Sequence, residues 1–411
     1  MLCSFSVHVG CSWFAERGIP PPTIKYKFLS FFLPVLRTTG LNERRISMKS
    51  LPKKPNLEFL KKQAKELRTL HRQRDPSCCS LIRQLDTSLS KKSDSEIMDQ
   101  YFSINDAQRI IAREYGYSSW ATLKQFIQSL GSKLYNSVND KKSYHKVITD
   151  SYDERSKDYD NSEWHRGLAL QTVDYVPPKV GHEVLDIATG TGTIAFHTAD
   201  IVGPGGSVTG IDISRGMLAK CNEKLSNTNV HNLKFKYADA ENLKYKPDTF
   251  DRIYCSSAFF WMSNPQATLR HWIELLKPDG ILGLNAFTED SFIWGGGARK
   301  ALGNYGIDFN CNVASGSVEK CRQLLFLAGY ENIQIHEEKY GRYIKLENER
   351  PTLLTEEDYS PGQYPHPLTG VSKEILQKAQ LDFEADVKKH MTDEGVWHDM
   401  TMYYVYGKKE S

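Results

Sequence analysis

The chain has no Cys-x-x-Cys pair and no histidine cluster at metal-ligand spacing, although it holds eight cysteines, at positions 3, 11, 78, 79, 221, 255, 311 and 321. Scattered in this way they build neither a disulfide framework nor a zinc site; free thiols in a reducing compartment are the plain reading, and no metal is expected. Charge of one sign is also scarce. Lys and Arg number 53 against 50 Asp and Glu, a net +3 that is too small to argue for nucleic acid. No run approaches the roughly 18 apolar residues that a membrane span needs, and the longest candidate, Phe28–Leu36, is short and contains Pro34. Acids are nearly missing from residues 1–47, which have only Glu16 and Glu43. That leader reads either as a disordered extension of a cytoplasmic protein or as a mitochondrial transit peptide, in which Pro20–Pro22 would interrupt an amphipathic helix.

What remains is an ordinary globular composition, 40% hydrophobic and 25% charged, in 411 residues, enough for two domains with separate cores. From residue 48 to 131 the pattern is that of short helices. Asn56 is a good N-cap for a helix with Leu57, Leu60, Ala64 and Leu67 on one face, and Ser103-Ile-Asn-Asp106 resembles a capping box. A further helix starts at Trp120, and Phe102, Ile110, Ile111, Tyr115, Trp120, Leu123 and Ile127 are expected to share a core. This all-α module carries more Lys and Arg than Asp and Glu, so it offers a possible docking face for a protein partner; a solvated helix face looks the same.

A polar linker is expected over 132–149, followed by Tyr152 to Asp160 and then, from Gly181, a βα rhythm. Strands are expected at 183–187, 207–211, 233–237, 250–255, 281–287, 333–337 and 401–406. Together they predict an α/β, Rossmann-like, doubly wound and mostly parallel seven-stranded sheet over 150–411. Residues 288–317 and 338–397 exceed what such a core requires and read as cap insertions, with Gly295-Gly-Gly297 as a hinge or mobile lid and Pro361–Pro367 as a loop.

The organising stretch is Val184-Leu-Asp-Ile-Ala-Thr-Gly-Thr-Gly-Thr193, followed by Gly210-Ile-Asp-Ile-Ser214. It reads as strand, glycine turn, helix, strand and acid, and Gly190-Thr-Gly-Thr-Ile-Ala195 satisfies the dinucleotide pattern as well. A nicotinamide oxidoreductase therefore stays open on the turn alone. Three features favour the cationic adenosine cofactor S-adenosylmethionine. Asp186, four residues before Gly190, would repel a pyrophosphate and attract an ammonium. Asp239, with Ala240 beside it, ends the third strand where a short acid can accept from an adenine amine. Phe250 to Cys255 runs into the small residues Ser256 and Ser257, beside which a sulfonium methyl can lie.

These segments, with Met217 in Ser214-Arg-Gly-Met-Leu-Ala, Ala238-Asp-Ala-Glu-Asn-Leu, Phe250-Asp and Leu275-Leu-Lys-Pro-Asp-Gly-Ile-Leu, resemble class I S-adenosylmethionine-dependent methyltransferases, in particular the ubiquinone/menaquinone-methyltransferase-like branch. The resemblance implies that Gly190 and Gly192, with Ala188, lie against the methionine part. It further implies that Asp212 takes both ribose hydroxyls beside Ile213, that Met217 packs on the adenine, that Asp239 meets its amine, and that Tyr159 helps cover the cofactor. Residues 51–65 and 112–124 resemble a small helical module at the front of bacterial ankyrin-repeat and other multidomain proteins, which implies no chemistry.

Methyl transfer from a sulfonium is an in-line displacement, and proximity and orientation can contribute roughly 7–11 kcal/mol without an acid or base. A catalytic side chain therefore need not exist. His165, after Trp164, is the candidate base if the acceptor needs one; His271 reads as a surface histidine. The chain lacks the Asn/Asp-Pro-Pro-aromatic and Pro-Cys signatures of nucleic-acid base methylation, so a bulky, partly apolar small molecule is the expected acceptor. Phe259, Phe260 and Trp261 either line its pocket or pack the sheet edge. A cofactor-binding scaffold without turnover is the rival reading.

Overall fold

Residues 49, 51–52, 55–117, 119–129, 138–309, 312, 314–346, 353 and 367–411 are described by a computed structural model. The leader 1–47 and most of the loop at 361–367 lie outside the described residues. Two compact units are present, one built from residues 58–120 and the other mainly from 121–411.

In the first unit Leu60, Ala64 and Leu67 of the helix Leu57–Arg72 are buried, as their spacing requires. The helix Ile104–Glu114 opens on the Ser103 capping box, in which Asp106 N donates to Ser103 Oγ (3.1 Å) and Ser103 N to Asp106 Oδ2 (2.9 Å). Ser93 and Glu96 form a second such box on the helix Asp94–Met98. Ile110, Ile111 and Tyr115 are buried, and Phe102 stacks on His71 at 4.7 Å. Leu123 and Ile127 fall beyond this unit, which ends at Trp120.

The second unit is built on β1 (Glu183–Ile187), β2 (Ser207–Asp212), β3 (Leu233–Tyr237), β4 (Phe250–Cys255) and β5 (Leu276–Phe287). β6 (Glu331–Glu338), β7 (Gly341–Ile344), β8 (Met391–Thr392), β9 (Gly395–Asp399) and β10 (Met402–Lys408) complete the strands. The main sheet runs β3-β2-β1-β4-β5-β10-β6; β10 is antiparallel to both neighbours, and β1 to β5 pair in parallel. Right-handed crossovers place the helices that follow β1 and β2 on one face and the helix that follows β4 on the other. On the first face Val184, Ile194, Ala195, Ala199, Val202 and Val208 close a core with Ala169 and Val173 of the helix Glu163–Asp174. Tyr254 and Tyr406 hold that helix region from the sheet through hydroxyls donated to Val176 O (2.6 Å) and Thr172 O (2.9 Å).

Two expectations are corrected. The polar stretch read as a linker is helical over Val138–Arg155, because Tyr144, Ile148 and Tyr152, four residues apart, form a narrow stripe among lysines and acids. Gly295–Gly297, expected as a hinge or mobile lid in a loop, lies inside the helix Phe292–Gly303. A Cβ on Gly297 would come within 2.8 Å of Phe383 on the helix Lys373–Lys389, so this glycine serves a close helix crossing. Lys300 and Asp386 tie the same helices, and Asn304 donates to Asp382 (3.0 Å). β7, β9 and β8 form a separate small sheet in the second cap insertion.

Candidate functional site

The strand order reverses at β1 and β4, and at such a switch point the loops leaving the carboxyl ends diverge and open a cleft. Two chambers occupy it, of about 530 and 740 Å³. Tyr159, Ala188, Gly190, Ser256 and Ser257 line both. The smaller is polar and adds Asp186, Thr189, Thr191, His165 and Arg166. The larger is more apolar, with Ile213, Met217, Ala240, Trp261 and Met262, and reaches Asp212 and Asp239.

The turn after β1 takes left-handed conformations at Ala188 (φ 54°), Gly190 (φ 56°) and Gly192 (φ 93°). The ring of Tyr159 lies 3.6 Å from where a Gly190 Cβ would stand, so the bare backbone keeps the cleft floor low. Gly192 lines neither chamber; a Cβ there would press on Phe196 (3.0 Å) and Phe235 (3.2 Å), so its work is turning and packing.

Asp186 is 1% exposed, and burial pushes its carboxyl up to about 7 against the hydrogen bond donated by Thr189 Oγ1 (2.5 Å). Asp212 is pushed up to about 6, again by burial, although Ser214 N (2.8 Å) and Gly190 N (2.9 Å) donate to its two oxygens. Those amides orient the carboxylate and leave each oxygen a lone pair for a second donor. Met217 is fully buried, with its amide donating to Ser214 Oγ (3.1 Å). Asp239 accepts from Glu241 N (3.0 Å) and from Lys141 Nζ (2.9 Å).

The helix Val138–Arg155 supplies a wall that the sequence did not reveal. Besides Lys141, it places Asp153 so that Ser214 Oγ (2.5 Å) and Gly216 N (2.8 Å) donate to it at the start of the helix Arg215–Ser226. Tyr144 donates to Trp261 O (2.9 Å), and Trp261 Nε1 donates to Tyr152 (3.0 Å). Asp160, after Tyr159, accepts from Thr191 Oγ1 (2.6 Å) and Lys224 Nζ (2.7 Å), which ties the cover to the glycine turn. His145, Asp239 and Glu241 bring one ligating atom each within 4.8 Å of one another, but Asp239 already holds Lys141, and Glu241 accepts from Ser263 N and Asn264 N (3.0 and 3.2 Å).

His165 lines the polar chamber with Nδ1 2.6 Å from Ser162 Oγ, and burial, with Arg155 adding to it, pushes its pKa down to about 3. It stays neutral and is a feeble base. His271 lines neither chamber; its Nε2 accepts from Leu243 N (3.1 Å). The aromatic triplet divides: Trp261 lines the larger chamber, while Phe259 packs near Trp272 (6.0 Å) and Phe260 near Phe287 (6.0 Å).

Residues 178–304, which contain the whole β1-to-β5 region, match a family described as a methyltransferase domain. Aklanonic acid methyltransferase DauC of Streptomyces sp. (strain C5) is 30% identical over 152 residues, 36% of this chain and 68% of that protein. Nocamycin O-methyltransferase of Saccharothrix syringae is 30% identical over 30% of this chain and 44% of its own length. The ubiquinone/menaquinone biosynthesis C-methyltransferase UbiE of Pasteurella multocida (strain Pm70) is 35% identical over 30% of this chain and 47% of its own length. The chain thus spans about half the length of the last two.

Proposed function

Because this chain belongs to the methyltransferase family, we propose that it transfers a methyl group from S-adenosylmethionine to a small-molecule acceptor. The observation that carries this reading is the pair of buried carboxylates, Asp186 and Asp212, at the ends of adjacent strands on either side of a left-handed glycine turn. Two buried acids that form no ion pair among the described residues suit a ligand that brings positive charge and hydroxyl donors. They do not suit a pyrophosphate.

S-adenosylmethionine supplies an electrophilic methyl on a positively charged sulfur. The residues of this chain bind and align. Asp212 takes the ribose hydroxyls with the lone pairs that Gly190 N and Ser214 N leave open, and Met217, Ile213 and Ala240 face the adenine, whose amine reaches Asp239. Asp186 attracts the ammonium, directly or through water, in the polar chamber, while Gly190 and Ala188 keep the floor low and Tyr159 covers it. Ser256 stands where the two chambers meet, beside the sulfur.

Ile148, Tyr152, Trp261 and Met262 enlarge the wider chamber with apolar surface, which suits a bulky, partly apolar acceptor. The relatives named above, whose names refer to aklanonic acid, nocamycin and ubiquinone/menaquinone biosynthesis, support a small-molecule acceptor. His165, uncharged and hydrogen-bonded to Ser162, serves as wall rather than base. Alignment of donor and acceptor, worth roughly 7–11 kcal/mol, is the main contribution expected of the chain.

The test is calorimetry with S-adenosylhomocysteine and NAD, followed by incubation of the chain with methyl-labelled S-adenosylmethionine and a metabolite extract. Binding of the first ligand alone and label in a small molecule are expected. NAD binding without S-adenosylhomocysteine binding would overturn the cofactor, and binding without any labelled product would leave a scaffold.

A further inference from the structure

At the end of β4 the chain passes through Ser257 at φ 53°, a left-handed conformation that side-chain-bearing residues seldom adopt and that costs of order 1 kcal/mol or more. A fully buried side chain holds it there. Asn285 on β5 is 0% exposed, and its Oδ1 accepts from Ser257 N at 2.7 Å. Its Nδ2 donates to Ser256 Oγ (2.8 Å) and to Thr172 Oγ1 (3.0 Å), so one amide joins β4, β5 and the helix Glu163–Asp174. Cys255 pairs with Leu284, which brings Asn285 level with Ser256.

Ser257 is 8% exposed, and its hydroxyl is buried with no hydrogen-bond partner among the described residues. Leaving a buried hydroxyl unsatisfied costs about 1–3 kcal/mol. Strain and an unmet hydroxyl thus coincide on a residue that lines both chambers, next to Ser256. A backbone of this kind persists when the surroundings enforce it, and here the enforcing group is Asn285. A contact from this hydroxyl to a ligand in either chamber requires it to turn about its side-chain bond toward the wall that both chambers share.

Resting on the methyltransferase reading, we propose that Ser257 is a binding residue for the amino-acid end of the cofactor and that Asn285 is its positioning residue. The hydroxyl can donate to a carboxylate or accept from an ammonium, and either satisfies it. Asp186, in the same polar chamber, supplies the complementary charge.

Two probes separate this role from a structural one: S-adenosylhomocysteine, and 5′-methylthioadenosine, which keeps the adenosine and the sulfur but lacks the amino-acid end. In calorimetry on the full chain, Ser257→Ala is expected to weaken S-adenosylhomocysteine about tenfold and to leave methylthioadenosine within twofold. Ser257→Gly suits the left-handed backbone, so it is expected to keep or raise the melting temperature while showing the same selective loss. Asn285→Ala is expected to lower the first affinity more than the second. Equal weakening of both probes, or unchanged S-adenosylhomocysteine binding by both Ser257 variants, overturns the proposal while the cofactor reading stands. A wild-type chain that binds neither probe overturns both.

Discussion

Asp186 and Asp212 are held in protein rather than water, and the charge of each has a cost that a cationic ligand offsets. The charge of Asp212 adds to burial in raising Asp186, and that of Asp153 adds at Asp212. With Asp186 at about 7, its carboxyl is half protonated near neutrality in the free chain, and binding of S-adenosylmethionine is expected to release that proton. Affinity should therefore rise with pH between about 5.5 and 7.5, and Asp186→Asn should flatten the profile; calorimetry in buffers of different ionisation enthalpy measures both. The linkage has the opposite sign for stability. A carboxyl raised above its unfolded value of about 3.9 makes the free fold bind more protons than the unfolded chain, so its contribution is greatest at low pH and is lost as pH rises toward about 7. Denaturant midpoints of the ligand-free chain should reflect that fall, and Asp186→Asn should reduce it. Asp212→Ala removes two charge-assisted bonds, each worth about 1.5–3 kcal/mol, and should weaken S-adenosylhomocysteine at least tenfold; unchanged affinity would remove its ribose role. Both acids could be read from the sequence because each ends an apolar strand at a fixed offset from a glycine or a helix cap. Ser257 and Asn285 could not, since only the β4–β5 register brings them together.

At the scale of elements, the wall of the site depends on the helix Val138–Arg155, whose apolar stripe is narrow and set among charges. Asp153 on that helix accepts from the Ser214 hydroxyl and the Gly216 amide at the start of the helix Arg215–Ser226, 61 and 63 residues away. Asp153→Ala should cost about 0.5–2 kcal/mol in urea unfolding, the range of a lost N-cap, and should also weaken S-adenosylhomocysteine because the wall loses its tether. The cap insertion gives a paired test. Gly303 has open space around it, so Gly303→Ala should be neutral or stabilising by up to about 1 kcal/mol, whereas Gly297→Ala meets Phe383 at 2.8 Å and should destabilise by about 1–3 kcal/mol. Melting temperatures in the opposite order would mean that the two helices separate easily, as a hinge requires. Three glycines in a row look like a hinge in sequence. Their role as a contact surface needs the opposing phenylalanine, which lies 86 residues further along the chain than Gly297.

For the whole molecule, a ligand that binds only the folded cleft stabilises it by mass action. S-adenosylhomocysteine at 100 times its dissociation constant should add about 2.7 kcal/mol, read as a shift of the thermal transition, and 5′-methylthioadenosine at the same multiple should add the same amount. A smaller shift for both would show that part of the measured unfolding does not involve the cleft. The sequence by itself determined the alternation of strands and helices, the seven-stranded sheet, the position of the glycine turn and the acids that follow it. It could do so because those signals are local, each a matter of period, cap or offset within about 25 residues. The helix that walls the cleft, the two-chamber shape, the uncharged state of His165 and the Asn285–Ser257 contact were decided only by tertiary structure. Each depends on burial or on the meeting of segments far apart in the chain, and neither has a local signature.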